Sequence, residues 1–431
     1  MVYKKVSVFK FTKIQLDVKL IKASLVFALL YCILFNSAVF VYKFEFYQAN
    51  LFTASLELTK DFIYLTVTLF MFFFGLSTHR ILFIVGSILL FVTGAIASYY
   101  LFFFSISPTP SMMPAVFCNP AADASELIST SLIVWISFCL AICLYGIYYF
   151  KIQTSKSFIT RFLSFLCILF VVSNILLPKF SFLKTYFPVQ YLHNSYIFLQ
   201  GQLNEPLRED INTKFSFVDK SDDDVTGVLV IGETARYDKF GINGYGRDTT
   251  PNLSELDLVS LKARACATST YYSVPCMLSR YTEKDIDLVE TESSFLSVLT
   301  RLGINTTWLG TQTCTKYYKN TQNYSFYDEV NLRVIPGGSL IFKANCHDGK
   351  MLPYIKKNIE SHNKNFLVLH TTGSHWNYAR RYSEEFEKFT PSISKKTKDP
   401  FSCDLEKLKN SYDNSMLYTD FFLSRVIEML K

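Results

Sequence analysis

Residues 227–236 read GVLVIGETAR, a short unbroken apolar run that stops at a glycine and a glutamate. A continuous run of this length predicts a strand buried on both faces, as in a parallel sheet covered by helices. Working outward, FLVL at 366–369 predicts a second strand of the same kind, and 305–309 a third. Between and after them, helical patterns fall at 271–281, 293–302, 351–358 and 411–430. Alternating strands and helices predict an α/β domain with a mostly parallel sheet. The acidic string 221–224 (SDDD) breaks the preceding apolar pattern, so this domain is placed at 221–431.

The first half reads differently. The chain has 431 residues, half of them hydrophobic, and only 18% are charged. The apolar residues crowd into the first 180. About 20 mostly apolar residues cross a hydrocarbon core. Five stretches approach or meet that length: 23–42, 62–78, 81–104, 127–150 and 162–178. They predict a five-helix transmembrane domain at 1–179. Residues 180–220, aromatic and interrupted by Pro188, Gly201 and Pro206, read as interfacial linker helices with Tyr and Phe at headgroup depth.

Basic residues set the orientation. Lys4, Lys5, Lys10, Lys13, Lys19 and Lys22 flank the first span against one acid, Asp17. His79 and Arg80 occupy the second loop, and Lys151 and Lys156 the fourth. All fall on one side, predicted cytoplasmic. The first loop (43–60), the third loop (105–126) and everything after the fifth span then lie outside. The net charge is +7 with no basic stripe carrying interleaved aromatics, which argues against nucleic acid as a partner. Cys32, Cys139, Cys143 and Cys167 fall in spans, whereas Cys118, Cys266, Cys276, Cys314, Cys346 and Cys403 fall on the side where disulfides persist. Cys266 and Cys276 form the best candidate pair, and the other pairings stay open.

Ligands in open α/β sheets gather at the carboxyl ends of strands. Three polar sets fall there. Glu233 follows the first strand, His370 and His375 follow FLVL, and 267–271 (ATSTY) opens a predicted helix, where backbone N–H groups and the helix dipole favour an anion. Taken singly, each has an ordinary role: a loop charge, a surface histidine, an N-cap. Their convergence on one sheet edge makes them candidates for chemistry.

The strings IGETARYDKFGINGYGRDTTPNL (231–253), CATSTYYSVPCMLS (266–279), LHTTGSHWNYARRYSEEFEKFTP (369–391) and YDNSMLYTD (412–420) resemble the bacterial phosphoethanolamine transferases, including those of the polymyxin-resistance type. The resemblance implies an alkaline phosphatase/sulfatase-like fold in a periplasmic domain, anchored by five helices in the bacterial inner membrane. It implies transfer of phosphoethanolamine from phosphatidylethanolamine to lipid A or another envelope glycan. It makes Thr270 the nucleophile and, with Glu233, a Zn²⁺ ligand. His375 becomes a substrate-binding residue. Zinc coordination would lower the pKa of the threonine hydroxyl. The segment 118–126 resembles the loop that contacts the lipid headgroup, giving Asn119, Asp123 and Glu126 as candidates.

The sequence departs from this family in one large respect. The family's remaining zinc ligands, an Asp and a His in an SDHGES-type string, have no counterpart, since no Asp-His-Gly string occurs in the 431 residues. His347-Asp348-Gly349 has the reverse order and is rejected as a substitute. A tetrahedral zinc site takes about four ligands, or three plus water. The expectation is therefore a C-terminally truncated chain that binds zinc weakly and is inactive. Trp376-Asn377 also replaces a frequent Gly-Pro beside the substrate histidine. The alternatives are a non-catalytic relative and a glycerophosphate-type transferase of the same fold. A sulfatase is disfavoured, because Cys276 is followed by Met-Leu-Ser-Arg280 and not by a Cys-x-Pro-x-Arg pattern.

Overall fold

The computed structural model describes residues 17–46, 51–118, 128–177, 181–203, 208–216, 223–310, 347–400 and 403–431. Their contacts divide the chain into two compact units, Met1–Met113 with Thr130–Leu203, and Pro114–Ser129 with Asn204–Lys431.

The first unit contains five helices long and apolar enough to cross a membrane: α1 (Val18–Phe46), α2 (Leu51–Ser77), α3 (Arg80–Phe104), α4 (Thr130–Phe150) and α5 (Phe158–Leu176). Each expected span is present. The first loop is a correction. Residues 43–46 continue α1, and 51–60 already belong to α2. Apolarity marks only what lipid must cover, while a helix satisfies its own backbone and can run on beyond it. The extension carries Lys60 beside Glu57 at 2.7 Å, and Lys43 reaches Asp61 at 2.8 Å across the two helices.

Aromatic side chains fill the centre of this bundle. Phe27 meets the edge of Phe83 at 4.9 Å between ring centroids, and Phe35 meets Phe91 at 5.3 Å. Such edge-to-face pairs contribute about 0.5–1.5 kcal/mol beyond their burial. Gly94 lets α3 approach them, since a Cβ there would lie 2.8 Å from both Phe35 and the Tyr31 hydroxyl. Small polar groups join helices across the bundle, as when Ser164 of α5 donates to the Gly75 carbonyl of α2 at 2.7 Å. Helix α6 (Val189–Leu203) follows. Tyr186 and Phe187, in the segment read as the interfacial linker, are fully buried in the bundle core. The side chain of Asn36 accepts from the Phe187 N–H at 2.8 Å and donates to its carbonyl at 3.1 Å. That bracket removes the cost of burying the peptide group.

The second unit is built on three parallel strands in the order β1-β3-β2: β1 (Val225–Ile231), β2 (Asn305–Gly310) and β3 (Lys364–His370). Their carboxyl ends align, with both Ile231 and Gly310 paired to His370. Both sheet faces are covered, which is why the strands read as continuous apolar runs. On one face Leu367 and Leu369 pack with Ile355 of α9 (Leu352–Ser361) and with Phe422 and Val426 of α10 (Leu405–Leu430). On the other, Val368, Trp308 and Ile231 pack with Val274 and Leu278 of α7 (Thr270–Leu278) and Leu296 of α8 (Phe295–Arg301). Helix α10 begins six residues before the expected 411. Asp404 accepts from the Glu406 and Lys407 amides at 3.0 and 3.1 Å, a side-chain N-cap.

Candidate functional site

The carboxyl ends of β1 and β3 and the start of α7 meet at one place. β1 ends at Ile231, and the chain turns through Gly232 to Glu233, with Thr234 in the left-handed region at φ 56°. Tyr412 of α10 pins this turn: its hydroxyl donates to the Thr234 carbonyl at 2.8 Å and accepts from the Arg236 amide at 2.9 Å. Burial pushes the Tyr412 hydroxyl up to about 12, so it stays protonated and able to donate.

Thr270 is the first residue of α7, preceded by Ser269 at the N-cap. Its hydroxyl donates to Glu233 Oε2 at 2.7 Å, and the Thr234 hydroxyl donates to Oε1 at 3.0 Å. Both Glu233 and Thr270 are half-buried. They face a cavity of about 940 Å³ whose lining also includes Arg236, Arg264, Thr268 and Asp348. A hydroxyl within hydrogen-bond reach of a carboxylate is the geometry of a nucleophile and its base. The positive end of the α7 dipole adds attraction for an anionic group at Thr270. The disulfide between Cys266 and Cys276 forms as expected and ties the loop before Thr270 to the far turn of α7.

The β3 side supplies support. Thr371 donates through its amide and its hydroxyl to the Ile231 carbonyl, each at 3.1 Å. Gly373, at φ 52°, lies against Glu233, and a Cβ there would stand 2.6 Å from the Glu233 carbonyl oxygen. The Ser374 amide donates to that oxygen at 3.0 Å. The Asp348 carboxylate accepts from the Thr372 and Gly373 amides at 2.8 and 2.9 Å.

The expected residues are therefore only partly gathered. Glu233 and Thr270 touch, and Cys266 lines the same cavity. His375 lies on the turn after β3, with Nδ1 3.0 Å from the Trp376 carbonyl, and is not among the residues lining the cavity. His370 ends β3, fully buried against Trp308, and neither ring nitrogen has a hydrogen-bond partner among the described residues. Burial pushes its pKa down to about 4. Asn119, Asp123 and Glu126 lie outside the described residues, as do Cys314 and Cys346. Among the described residues no group of three or more His, Cys, Asp or Glu side chains is placed to hold a metal. Sequence reasoning missed Tyr412, Gly373 and the carboxylate of Asp348, whose contacts join segments distant in the chain. Only the glycine, in a turn directly after a strand, carried a local signal.

Comparison with known proteins agrees with this architecture. A sulfatase family profile matches residues 226–431, and one described as phosphoethanolamine transferase EptA/EptB matches 66–197. Phosphoethanolamine transferase EptA of Salmonella typhimurium is 35% identical over 210 residues, 47% of this chain and 37% of that protein. The Kdo(2)-lipid A phosphoethanolamine 7''-transferase of the same organism is 31% identical over 258 residues, 58% of this chain and 45% of that protein. The matched region thus spans less than half the length of these curated relatives. The solved structure of the integral membrane lipooligosaccharide phosphoethanolamine transferase A from Neisseria meningitidis superposes with a TM-score of 0.70 at 26% identity, covering 95% of this chain and 79% of that one. The fold is a five-helix membrane domain followed by a sulfatase-like α/β domain.

Proposed function

We propose that this chain, which belongs to the phosphoethanolamine transferase family, moves phosphoethanolamine from phosphatidylethanolamine to lipid A or a similar envelope glycolipid, through an intermediate on Thr270. The observation that carries the reading is the 2.7 Å contact between the Thr270 hydroxyl and the Glu233 carboxylate, at a helix N-terminus facing the cavity. In the first half-reaction Thr270 Oγ attacks the lipid phosphorus while Glu233 Oε2 takes its proton. The bond from phosphorus to the glycerol oxygen breaks, and that oxygen takes a proton to leave as diacylglycerol. In the second, an acceptor oxygen attacks the phospho-threonine and Thr270 Oγ recovers a proton. The α7 dipole and the cationic side chains of Arg236 and Arg264 at the cavity wall favour the phosphoryl charge. Five membrane-crossing helices would hold the domain beside two lipid substrates, and the basic loops orient it towards the periplasm of the bacterial inner membrane.

Zn²⁺ is the cofactor this family implies, and it would supply a lowered pKa for the threonine hydroxyl. Glu233 and Thr270 offer two oxygen donors, half of a tetrahedral shell. The described donor set by itself does not fit the ion. That observation favours a second reading, a non-catalytic member of the family that retains the binding cavity.

One experiment separates the two. Purified chain in detergent is incubated with phosphatidylethanolamine, with and without added Zn²⁺, and diacylglycerol release is followed. Release that disappears in Thr270→Ala supports transfer. No release from folded protein under either condition supports the non-catalytic reading.

A further inference from the structure

We propose that Asp348 is a positioning residue for the Thr270–Glu233 pair, acting through the turn that follows β3. The inference rests on the reading of Thr270 as nucleophile and goes beyond it by assigning what holds its carboxylate partner in place.

Asp348 is buried, only 5% exposed. Its two oxygens each accept one of two consecutive amides, Thr372 at 2.8 Å and Gly373 at 2.9 Å. A carboxylate bonding two backbone N–H groups is a charge-assisted, two-point grip that fixes the orientation of the turn as well as its position. The gripped residue is Gly373, whose left-handed backbone lies close enough to Glu233 that no Cβ fits between them. The next amide, Ser374, donates to the Glu233 carbonyl at 3.0 Å. The Glu233 backbone is therefore held from the β3 side by Gly373, which Asp348 grips, and by Ser374, the residue that follows it.

The grip has a rigid base. Asp348 opens the short 3-10 turn Asp348–Met351, whose Met351 is fully buried between β2, β3 and α10. The Gly349 amide donates to the hydroxyl of Tyr418 on α10 at 3.2 Å. A continuous path then runs from the sheet core through Asp348 and the Thr372–Gly373 turn to Glu233, and from Glu233 to the Thr270 hydroxyl. Asp348 also lines the cavity that holds the pair, so its loss would disturb the cavity wall directly.

The test compares full-length Asp348→Ala and Asp348→Asn with the parent chain in detergent. Hydrogen exchange is read by overlapping peptides that isolate the Ser374 amide, with α10 as the internal reference. Phospho-threonine formation from phosphatidylethanolamine is timed in parallel. In Asp348→Ala, exchange at Ser374 is expected to rise at least ~10-fold while α10 stays unchanged, a tenfold change corresponding to about 1.4 kcal/mol of local opening. The rate constant for Thr270 modification is expected to fall ~10-fold or more, with little change in its dependence on lipid concentration. Asp348→Asn keeps the size and one acceptor oxygen, so it is expected to fall between the two. Faster exchange confined to Thr372 and Gly373, with Ser374 and the rate unchanged, would reduce Asp348 to a cap of its own turn and overturn the proposal. If the parent chain itself modifies no threonine, the transferase reading fails, and the Ser374 exchange still decides whether Asp348 grips Glu233. Should Asp348→Ala fail to fold, the Asn variant carries the same two readouts.

Discussion

Thr270 and Glu233 are 37 residues apart in the chain and 2.7 Å apart at their oxygens. Two features produce that contact: Thr270 is placed at the first position of α7, and the Glu233 turn is pinned by Tyr412 and Gly373. Glu233→Gln keeps the shape and removes the carboxylate that, in the proposed mechanism, would accept the threonine proton. It is expected to slow modification of Thr270 by about 10²–10⁴-fold, the usual range for loss of a positioned base, measured as adduct formed per minute. Gly373→Ala is expected to unseat Glu233, because a Cβ has no room at 2.6 Å from its carbonyl and the backbone is left-handed. Its signature is a lower unfolding temperature together with lost Thr270 reactivity. His370 makes a separate prediction. Burial lowers its pKa to about 4, below the unfolded value of about 6.5, so the fold favours the neutral ring. Its contribution is full above pH ~6.5 and is lost as pH falls towards 4, up to roughly 3 kcal/mol across that window. The unfolding midpoint of the parent chain should therefore fall more steeply between pH 6.5 and 4.5 than that of His370→Gln. Equal slopes would contradict it.

At the scale of elements, the strands were the most legible part. GVLVI and FLVL lie inside β1 and β3, because a strand covered on both faces leaves an uninterrupted apolar record. Glu233 was legible because it follows such a strand, and Thr270 because it opens a helix. The losses have physical causes. The helix extensions at 43–46 and 51–60 lie beyond the apolar stretch, so a hydropathy reading does not see them. Asp404 caps α10, so the helix begins at Leu405, six residues before the expected 411. The burial of Tyr186 and Phe187 was not legible, and the bracket from Asn36, 151 residues away, shows why that segment can be buried. Asp348 was legible only as part of a reversed motif, since its partners are 24 and 25 residues on and belong to a turn. The Asn36 bracket gives an element-level test. Asn36→Leu leaves a buried N–H and C=O without partners, at about 1–3 kcal/mol for each unsatisfied group. The unfolding temperature of the detergent-solubilised chain is expected to fall, while the Ser374 exchange rate in the second unit stays at the parent value.

For the whole molecule, the two units separate the membrane-crossing helices from the proposed site of chemistry. The first buries aromatic rings and small polar pairs among five spans, and the second carries a site where a hydroxyl, a carboxylate and a helix N-terminus meet at a cavity. The central claim is that Thr270 carries the phosphoethanolamine between donor and acceptor lipids. Peptide mass spectrometry of the purified full chain, after incubation with phosphatidylethanolamine and Zn²⁺, tests it most directly. The account predicts a phosphoethanolamine adduct on Thr270, absent from Thr270→Ala and strongly reduced in Glu233→Gln. An unmodified Thr270 in folded protein, or an adduct on a different residue, would contradict it.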